Sequence, residues 1–257
     1  MPETTPLWMV RLRLDAARLA REGFACGLPP RHDDLGALVH ATLAGLFGEG
    51  VLQPFRVLDE ASRTVPVLAY TARPEAELRE HAASFADPAR YAACSWDELA
   101  AKPLPVLAAG RRLGFELRAC PVKRLAHPLE VRARDGELLQ YPEGAEIDAW
   151  VHRCFFARDA VPETSRESAY TEWLRERLGG AADLGEVRLH GFRRLRLARR
   201  DHAPKRRARE LERPEAVLRG ELVVRESAAF RDLLARGVGR HRAFGFGMLL
   251  LRAPGSC

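Results

Sequence analysis

The alternation of apolar and polar residues predicts that strands and helices follow one another in a regular order. Residues 8–14 (WMVRLRL) alternate with a period of two, as half-buried strands do. Asp33 or Asp34 can cap a helix whose apolar residues recur at helical spacing as far as Phe47. The predicted elements of this half are strand, helix, strand, strand and helix, at about 8–14, 34–47, 55–58, 65–70 and 75–85.

A similar order follows in the second half of the chain. The predicted elements are strand, helix, strand, strand, helix and strand, at about 112–123, 167–179, 186–200, 216–225, 228–236 and 249–251. The segment up to Pro29-Pro30 is predicted to be a turn region, residues 124–163 are mixed and irregular, and the last strand of the first half has no clear position. We therefore predict an α+β fold of two tandem ferredoxin-like (RRM-like, βαββαβ) domains, 1–108 and 109–257.

Composition places this pattern in a globular protein. The 257 residues are 47% hydrophobic and 30% charged, which is typical of a chain with a packed core. The five cysteines are dispersed and the eight histidines show no metal-ligand spacing, so we expect reduced thiols, no metal and no cofactor. Arg11 and Arg13 interrupt any signal core, and no apolar run approaches the ~20 residues of a membrane span. A cytoplasmic location is the expectation.

Positive charge is concentrated in one part of the second half. Residues 188–213 contain eleven Arg or Lys and three Asp or Glu, a net charge of +8, whereas the whole chain carries +6. Charge runs are often solvated loops. Here the arginines continue down a predicted strand from a hairpin tip, which favours contacts with nucleic-acid phosphates.

A glycine-rich segment precedes the final apolar strand. Residues 237–247 (GVGRHRAFGFG) contain four glycines around an Arg-His-Arg core. Glycine allows positive φ and close backbone approach, and the arginines favour a polyanion as the molecule approached. A flexible loop is the simpler alternative. A dinucleotide fingerprint is disfavoured because that motif follows a strand and opens a helix.

His40 stands out among the eight histidines by its position. It falls on the flank of the first predicted helix, roughly 120° from the centre of the apolar face. A lone helical histidine is more often structural or merely exposed.

These features together resemble the CRISPR-associated repeat-processing endoribonucleases of the Cas6e (CasE/Cse3) group. The resemblance covers nearly the full chain, and the order of the motifs is more specific than any one of them. Besides the helical histidine, the basic hairpin and the glycine-rich segment, the motifs that carry it are FELRACPVK at 115–123 and the helix end spanning Trp173-Leu174 to Leu178-Gly179. Two positions depart from the group: Ala37 stands where relatives commonly have tyrosine, and Cys120 replaces the asparagine of an A-N-P motif.

The resemblance implies metal-independent cleavage of precursor CRISPR RNA at the base of the repeat stem-loop. The 2′-OH of the RNA is the nucleophile, and the products are a 2′,3′-cyclic phosphate and a 5′-hydroxyl. The group's helical histidine corresponds to His40 and its basic loop residue to Arg242. The resemblance thus makes His40 the candidate for proton transfer, and His241 of the glycine-rich segment is the second candidate. The resemblance also implies membership of a Cascade-type surveillance complex.

The predicted interface combines the strand, the hairpin and the glycine-rich segment. The residues predicted to bind RNA are Lys123, Arg193, Arg194, Arg196, Arg199, Arg200, Lys205, Arg206, Arg207, Arg209, Gly237, Gly239, Arg240, Arg242, Gly245 and Gly247. Two other functions remain open: a subunit of the same fold that binds CRISPR RNA without cutting it, and an unrelated RNA-binding module.

Overall fold

The computed structural model describes residues 6–25, 35–58, 63–132, 136, 138–156, 165–200 and 208–255. For residues 156, 198–200 and 208–211 the backbone alone is described. Lys205, Arg206 and Arg207 of the predicted hairpin tip, and the two predicted caps Asp33 and Asp34, lie outside these ranges.

The first unit is a four-stranded antiparallel sheet with helices on one face. Its elements are β1 (Trp8–Asp15), α1 (Ala16–Ala25), α2 (Gly36–Phe47), β2 (Phe55–Val57), β3 (Thr64–Thr71), α3 (Glu75–Phe85), α4 (Pro88–Tyr91) and β4 (Ala100–Pro103). The strand order is β2-β3-β1-β4. Because β3 lies between the first two strands, this is the split βαβ arrangement of a ferredoxin-like unit.

The second unit repeats this topology. Its elements are β5 (Arg112–Ala119), β6 (Val122–Arg124), β7 (Leu129–Arg132), β8 (Leu138–Tyr141), β9 (Glu146–Asp148), α5 (Ala149–Phe156), α6 (Arg166–Leu178), β10 (Ala182–Arg200), β11 (Ala208–Val224), α7 (Ser227–Arg236) and β12 (Leu249–Arg252). The main sheet has the order β10-β11-β5-β12, and β6-β9 and β7-β8 form two small sheets. The predicted α+β class and the repeated βαββαβ order are confirmed.

The sequence prediction was wrong or incomplete at three places. Helix α1 occupies most of the predicted turn region; its Ala-rich sequence has high helix propensity, and Leu19 and Gly23, four residues apart, are its buried residues. The segment predicted as irregular contains β7, β8, β9 and α5, and the predicted strand 112–123 is divided into β5 and β6. Strand β11 begins at Ala208, earlier than predicted, because it pairs with β10 far beyond the main sheet.

Each unit has a large hydrophobic core, and the core of the second unit includes residues of the first. Tyr70 of β3 is buried in the second core, and its hydroxyl donates to the carbonyl of Leu249, 2.8 Å away. Glu116 of β5 accepts from Arg56 of β2 at 3.4 Å. The two sheets lie on either side of residue 108, and the division into domains 1–108 and 109–257 stays a prediction.

Candidate nucleic-acid interface

His40 lies half-buried on α2, beside an aromatic ring. The imidazole and the Phe55 ring are parallel, with an interplanar angle of 3° and centroids 6.5 Å apart. Burial lowers the pKa of His40 below its ordinary value of 6.5, and the nearby charge of Glu49 opposes this only in part. His40 is therefore neutral at neutral pH, the form that accepts a proton.

Phe55 links His40 to the glycine-rich segment. Helix α2 packs against the one-turn 3₁₀ helix Arg242–Phe244 within that segment. A side chain at Gly245 would meet the Phe55 ring at 3.2 Å, so this glycine lies directly against the ring. The fold thus brings the helix of His40 and the loop of Arg242 together, although 195 or more residues separate them in the sequence.

The four glycines of the loop are required by contacts within the protein. All have positive φ, from 74° at Gly237 to 86° at Gly247. A Cβ at Gly239 would lie 2.8 Å from the Trp173 ring, and one at Gly247 would lie 2.5 Å from the carbonyl oxygen of Val238. These close approaches fix the loop on its own scaffold. Contact of Gly237, Gly239, Gly245 and Gly247 with RNA stays a prediction.

The two arginines of the loop differ in their surroundings. Arg240 is about half exposed, and its Nε lies 2.7 Å from Oε1 of Glu146. Arg242 is exposed, and its guanidinium donates to the backbone carbonyl of Arg236. Between them, His241 bonds through Nε2 to Glu146 Oε2 at 2.7 Å, so this second candidate for proton transfer is engaged with a carboxylate.

Glu146 is the acidic centre of this part of the site. The hydrogen bond from His241 lowers the pKa of Glu146 to about 2, burial opposes the change, and the charges of Arg213 and Arg240 add to it. Glu146 is consequently ionised at any pH near neutrality. The sequence analysis did not select it because its partners lie far away in the chain.

The strand arginines stand beside acidic residues of the neighbouring strand. Arg193 pairs with Glu215 at 3.1 Å and Arg194 with Glu212 at 2.8 Å, and Arg196 is exposed on the same strand, β10. Lys123 of β6 contacts Glu176 of α6 at 2.8 Å. For Arg199, Arg200 and Arg209 the structure places the backbone in the β10–β11 hairpin.

The hairpin and the glycine loop share a small apolar core. Leu195 and Leu197 of β10 are buried with Phe246 of the loop, next to Cys120 and Val122. Burial raises the pKa of the Cys120 thiol, so this departure from the A-N-P motif is an unreactive packing group. The long hairpin is therefore anchored to the same loop that contacts α2.

Arg118 supports the loop from beneath and was not selected from the sequence as a functional residue. Its guanidinium is buried, donates to Glu215 at 2.9 Å and lies 4.8 Å from the centroid of the Phe246 ring. Its carbonyl accepts from the amide of Gly247 at 2.8 Å. The only indication in the sequence was that Arg118 belongs to the FELRACPVK motif. Its role depends on contacts that it makes across the sheet, which the motif does not contain.

The described part of the chain has neither a metal-ligand cluster nor a membrane-spanning helix. No group of three or more His, Cys, Asp or Glu in those residues could hold a metal ion. None of the described helices has both the length and the apolar character needed to cross a membrane.

The fold and site define an α+β protein with two βαββαβ units, a basic hairpin and a glycine-rich loop next to a helical histidine. Over residues 7–253 the sequence matches the model of the family described as CRISPR associated protein, and the chain belongs to that family. No curated protein sequence matches it significantly.

Several solved structures are similar over almost the whole chain. Thermus thermophilus Cse3, bound to an RNA representing a pre-cleavage complex, is 22% identical with a TM-score of 0.55, covering 96% of this chain and 98% of the other. Cas6e from Escherichia coli K-12 is 18% identical with a TM-score of 0.52, covering 96% and 99%. A chain of a CRISPR RNA-guided surveillance complex is 16% identical with a TM-score of 0.55, covering 96% and 99%. At these identities the likeness establishes the fold.

Proposed function

We propose that this protein is a metal-independent endoribonuclease that binds the stem-loop of a CRISPR repeat and cleaves precursor CRISPR RNA. The observation that carries the proposal is the position of His40. Its imidazole is half-buried with a lowered pKa, on the helix that packs against the part of the glycine-rich loop that begins at Arg242. Membership of the CRISPR associated protein family and the fold shared with Cse3 and Cas6e support it.

His40 acts as the general base in this mechanism. Its neutral imidazole takes the proton of the 2′-OH, and the 2′ oxygen forms a bond to phosphorus as the bond from phosphorus to the 5′ oxygen breaks. A proton donor restores the 5′-hydroxyl, and the other product ends in a 2′,3′-cyclic phosphate. Because RNA supplies its own nucleophile, no Ser, Cys or metal-bound water is needed.

The arginines of the loop and the hairpin bind the phosphates. Arg240 and Arg242 are exposed on the glycine-rich loop, and the turn that begins at Arg242 packs against the helix of His40, where a guanidinium can stabilise charge on the phosphorane. Arg194 and Arg196 lie on one face of β10 and Arg193 on the other, because successive side chains of a strand point to opposite faces. The acidic partners of Arg193 and Arg194 are exchanged for phosphate oxygens when RNA binds. The RNA therefore crosses both the hairpin and the loop.

The likeness to a chain of a surveillance complex supports a stable role after cleavage. The processed RNA stays bound to the hairpin and loop, and the protein becomes a subunit of a Cascade-type complex. The partner of the free protein is thus the CRISPR repeat stem-loop itself.

A second candidate is a subunit that binds the same RNA without cutting it. Ala37 lies one turn before His40 on α2, where relatives commonly have tyrosine. A methyl group cannot take part in proton transfer, so His40 would lack that assistance.

Incubating the purified protein with repeat RNA in EDTA separates these candidates. We expect cleavage that leaves a cyclic phosphate, and full resistance of a substrate with 2′-deoxyribose on the 5′ side of the cut. Tight binding without cleavage would favour the second candidate. Cleavage of the deoxy substrate would refute the proposed mechanism, and indifference to the repeat hairpin would refute the function.

A further inference from the structure

Glu146 gathers three donors from two distant parts of the chain. It opens the short strand β9, outside both four-stranded sheets. Its Oε1 lies 2.7 Å from Nε of Arg240, and its Oε2 lies 2.7 Å from Nε2 of His241 and 3.3 Å from Nη2 of Arg213. One carboxylate thus joins the glycine-rich loop to strand β11.

The backbone conformation at His241 has to be stabilised by contacts with the surrounding structure. His241 is the one non-glycine residue with positive φ, 61°, in the part of the chain that the structure describes. That conformation costs roughly 1–3 kcal/mol and persists only where the surroundings enforce it. The His241 side chain is 11% exposed and that of Glu146 is 13% exposed, so their hydrogen bond lies mostly out of water. The carboxylate is the group that fixes this turn.

Arg240 is accessible to solvent, and the loop backbone next to it is held in place. The Arg240 side chain is 48% exposed, whereas the two groups that hold the loop are packed beneath it. A cavity of about 180 Å³ lies against the carboxylate, and Arg194, Glu212 and Arg213 are among the other residues that line it. Glu146 therefore stands between the loop and the basic strand, at the point where both would face one RNA.

We infer that Glu146 is a positioning residue for RNA: its carboxylate holds the loop at His241 and aims Arg240 at a backbone phosphate. The inference has two parts. The first, that Glu146 anchors the loop, concerns the free protein alone; the second, that this anchoring positions Arg240 for RNA, rests on the proposed function. This role predicts that removal of the carboxylate charge weakens RNA binding, whereas removal of an acidic residue without a positioning role should strengthen it. A negative charge near an RNA surface weakens binding, so its removal should tighten binding unless the charge is needed for geometry.

Glu212 provides the matched control for this argument. It lies on β11, one residue before Arg213, and pairs with Arg194 at 2.8 Å in an exposed position. Glu146→Gln and Glu212→Gln remove the same charge from neighbouring places. E212Q should leave repeat-RNA affinity unchanged or improve it, and E146Q should weaken it about tenfold, the usual value of a charge-assisted hydrogen bond that loses its geometry.

Hydrogen exchange tests the anchor without any RNA. The amides of Phe244 and Gly245 bond to the carbonyls of His241 and Arg242 at 2.9 and 3.1 Å, in the turn that directly follows the anchor. In E146Q we expect the 237–247 peptide to exchange about tenfold faster, with no change in E212Q. Unchanged exchange in E146Q overturns the inference. If E146Q fails to fold, Glu146→Asp, which keeps the charge but withdraws it by one methylene, replaces it in both measurements.

A double-mutant cycle tests whether Glu146 acts through Arg240. If it does, E146Q should weaken RNA binding no further in an Arg240→Gln background. Additive losses, or an affinity in E146Q equal to that in E212Q, overturn the RNA half of the inference. Wild-type protein that binds no repeat RNA instead refutes the proposed function, and the exchange measurement still decides whether Glu146 anchors the loop.

Discussion

Substituting Gly239 by alanine separates the two roles that a loop glycine can have. At Gly239 φ is +80°, and an added Cβ would lie 2.8 Å from the Trp173 ring. An L-residue at such a φ costs about 1–2 kcal/mol. Overpacking against a buried ring adds about 1–3 kcal/mol. We therefore expect Gly239→Ala to lower the free energy of unfolding by about 2–5 kcal/mol, a large part of the ~5–15 kcal/mol of a typical domain.

Gly110 offers a control with nearly the same φ. Its φ is +81°, and nothing lies within 4 Å of an added Cβ. Gly110→Ala should cost only the conformational term, about 1–2 kcal/mol. Urea unfolding of both variants, followed by Trp fluorescence, gives the two free energies, and their difference isolates the contact with Trp173.

Two results would refute this reasoning. Equal losses in the two variants would show that Trp173 does not constrain Gly239. A fully stable Gly239→Ala that no longer binds repeat RNA would show that the close approach at this glycine is to the RNA. The affinity of each variant is measured at a temperature where both are folded.

The remaining predictions concern the base and the hairpin. His40→Ala should slow single-turnover cleavage by a factor of about 10²–10⁴. It should leave RNA affinity within a few fold, because phosphate contacts set that affinity. His81→Ala, which also removes a ring contact on a helix, is the control and should cleave normally. Burial lowers the pKa of His40 below 6.5, and the neutral form is the base. The wild-type cleavage rate should therefore rise with pH and level off before neutrality. A cleavage rate that falls over this range would make His40 an acid. Replacing the hairpin cations by alanine should reduce the slope of log affinity against log salt by about 0.7–0.9 per lost phosphate contact, and an unchanged slope would place the contacts elsewhere; the four residues are Lys205, Arg206, Arg207 and Arg209.

Local patterns in the amino-acid sequence were enough to predict most of the elements. Helix α3 spans Glu75–Phe85, as its spacing predicts, and β1 extends the predicted strand by one residue. Periodicity succeeds here because it records which side of each element faces the core. In α1 the two buried residues, Leu19 and Gly23, are also one turn apart, but only one of them has an apolar side chain, so the periodic signal is weak. The excess of arginine between 188 and 213 is likewise a local property of the chain.

Contacts between distant residues depended on the folded chain. Glu146 and His241 are 95 positions apart, and they meet because β9 pairs with β6 beside the loop. Gly239 is needed for Trp173, and Gly245 for Phe55, which also stacks on His40. A glycine in a sequence permits close approach but does not identify what approaches. The pairing of strands and the packing of helices determine which residue lies against each glycine, because they set distances that residue order does not contain.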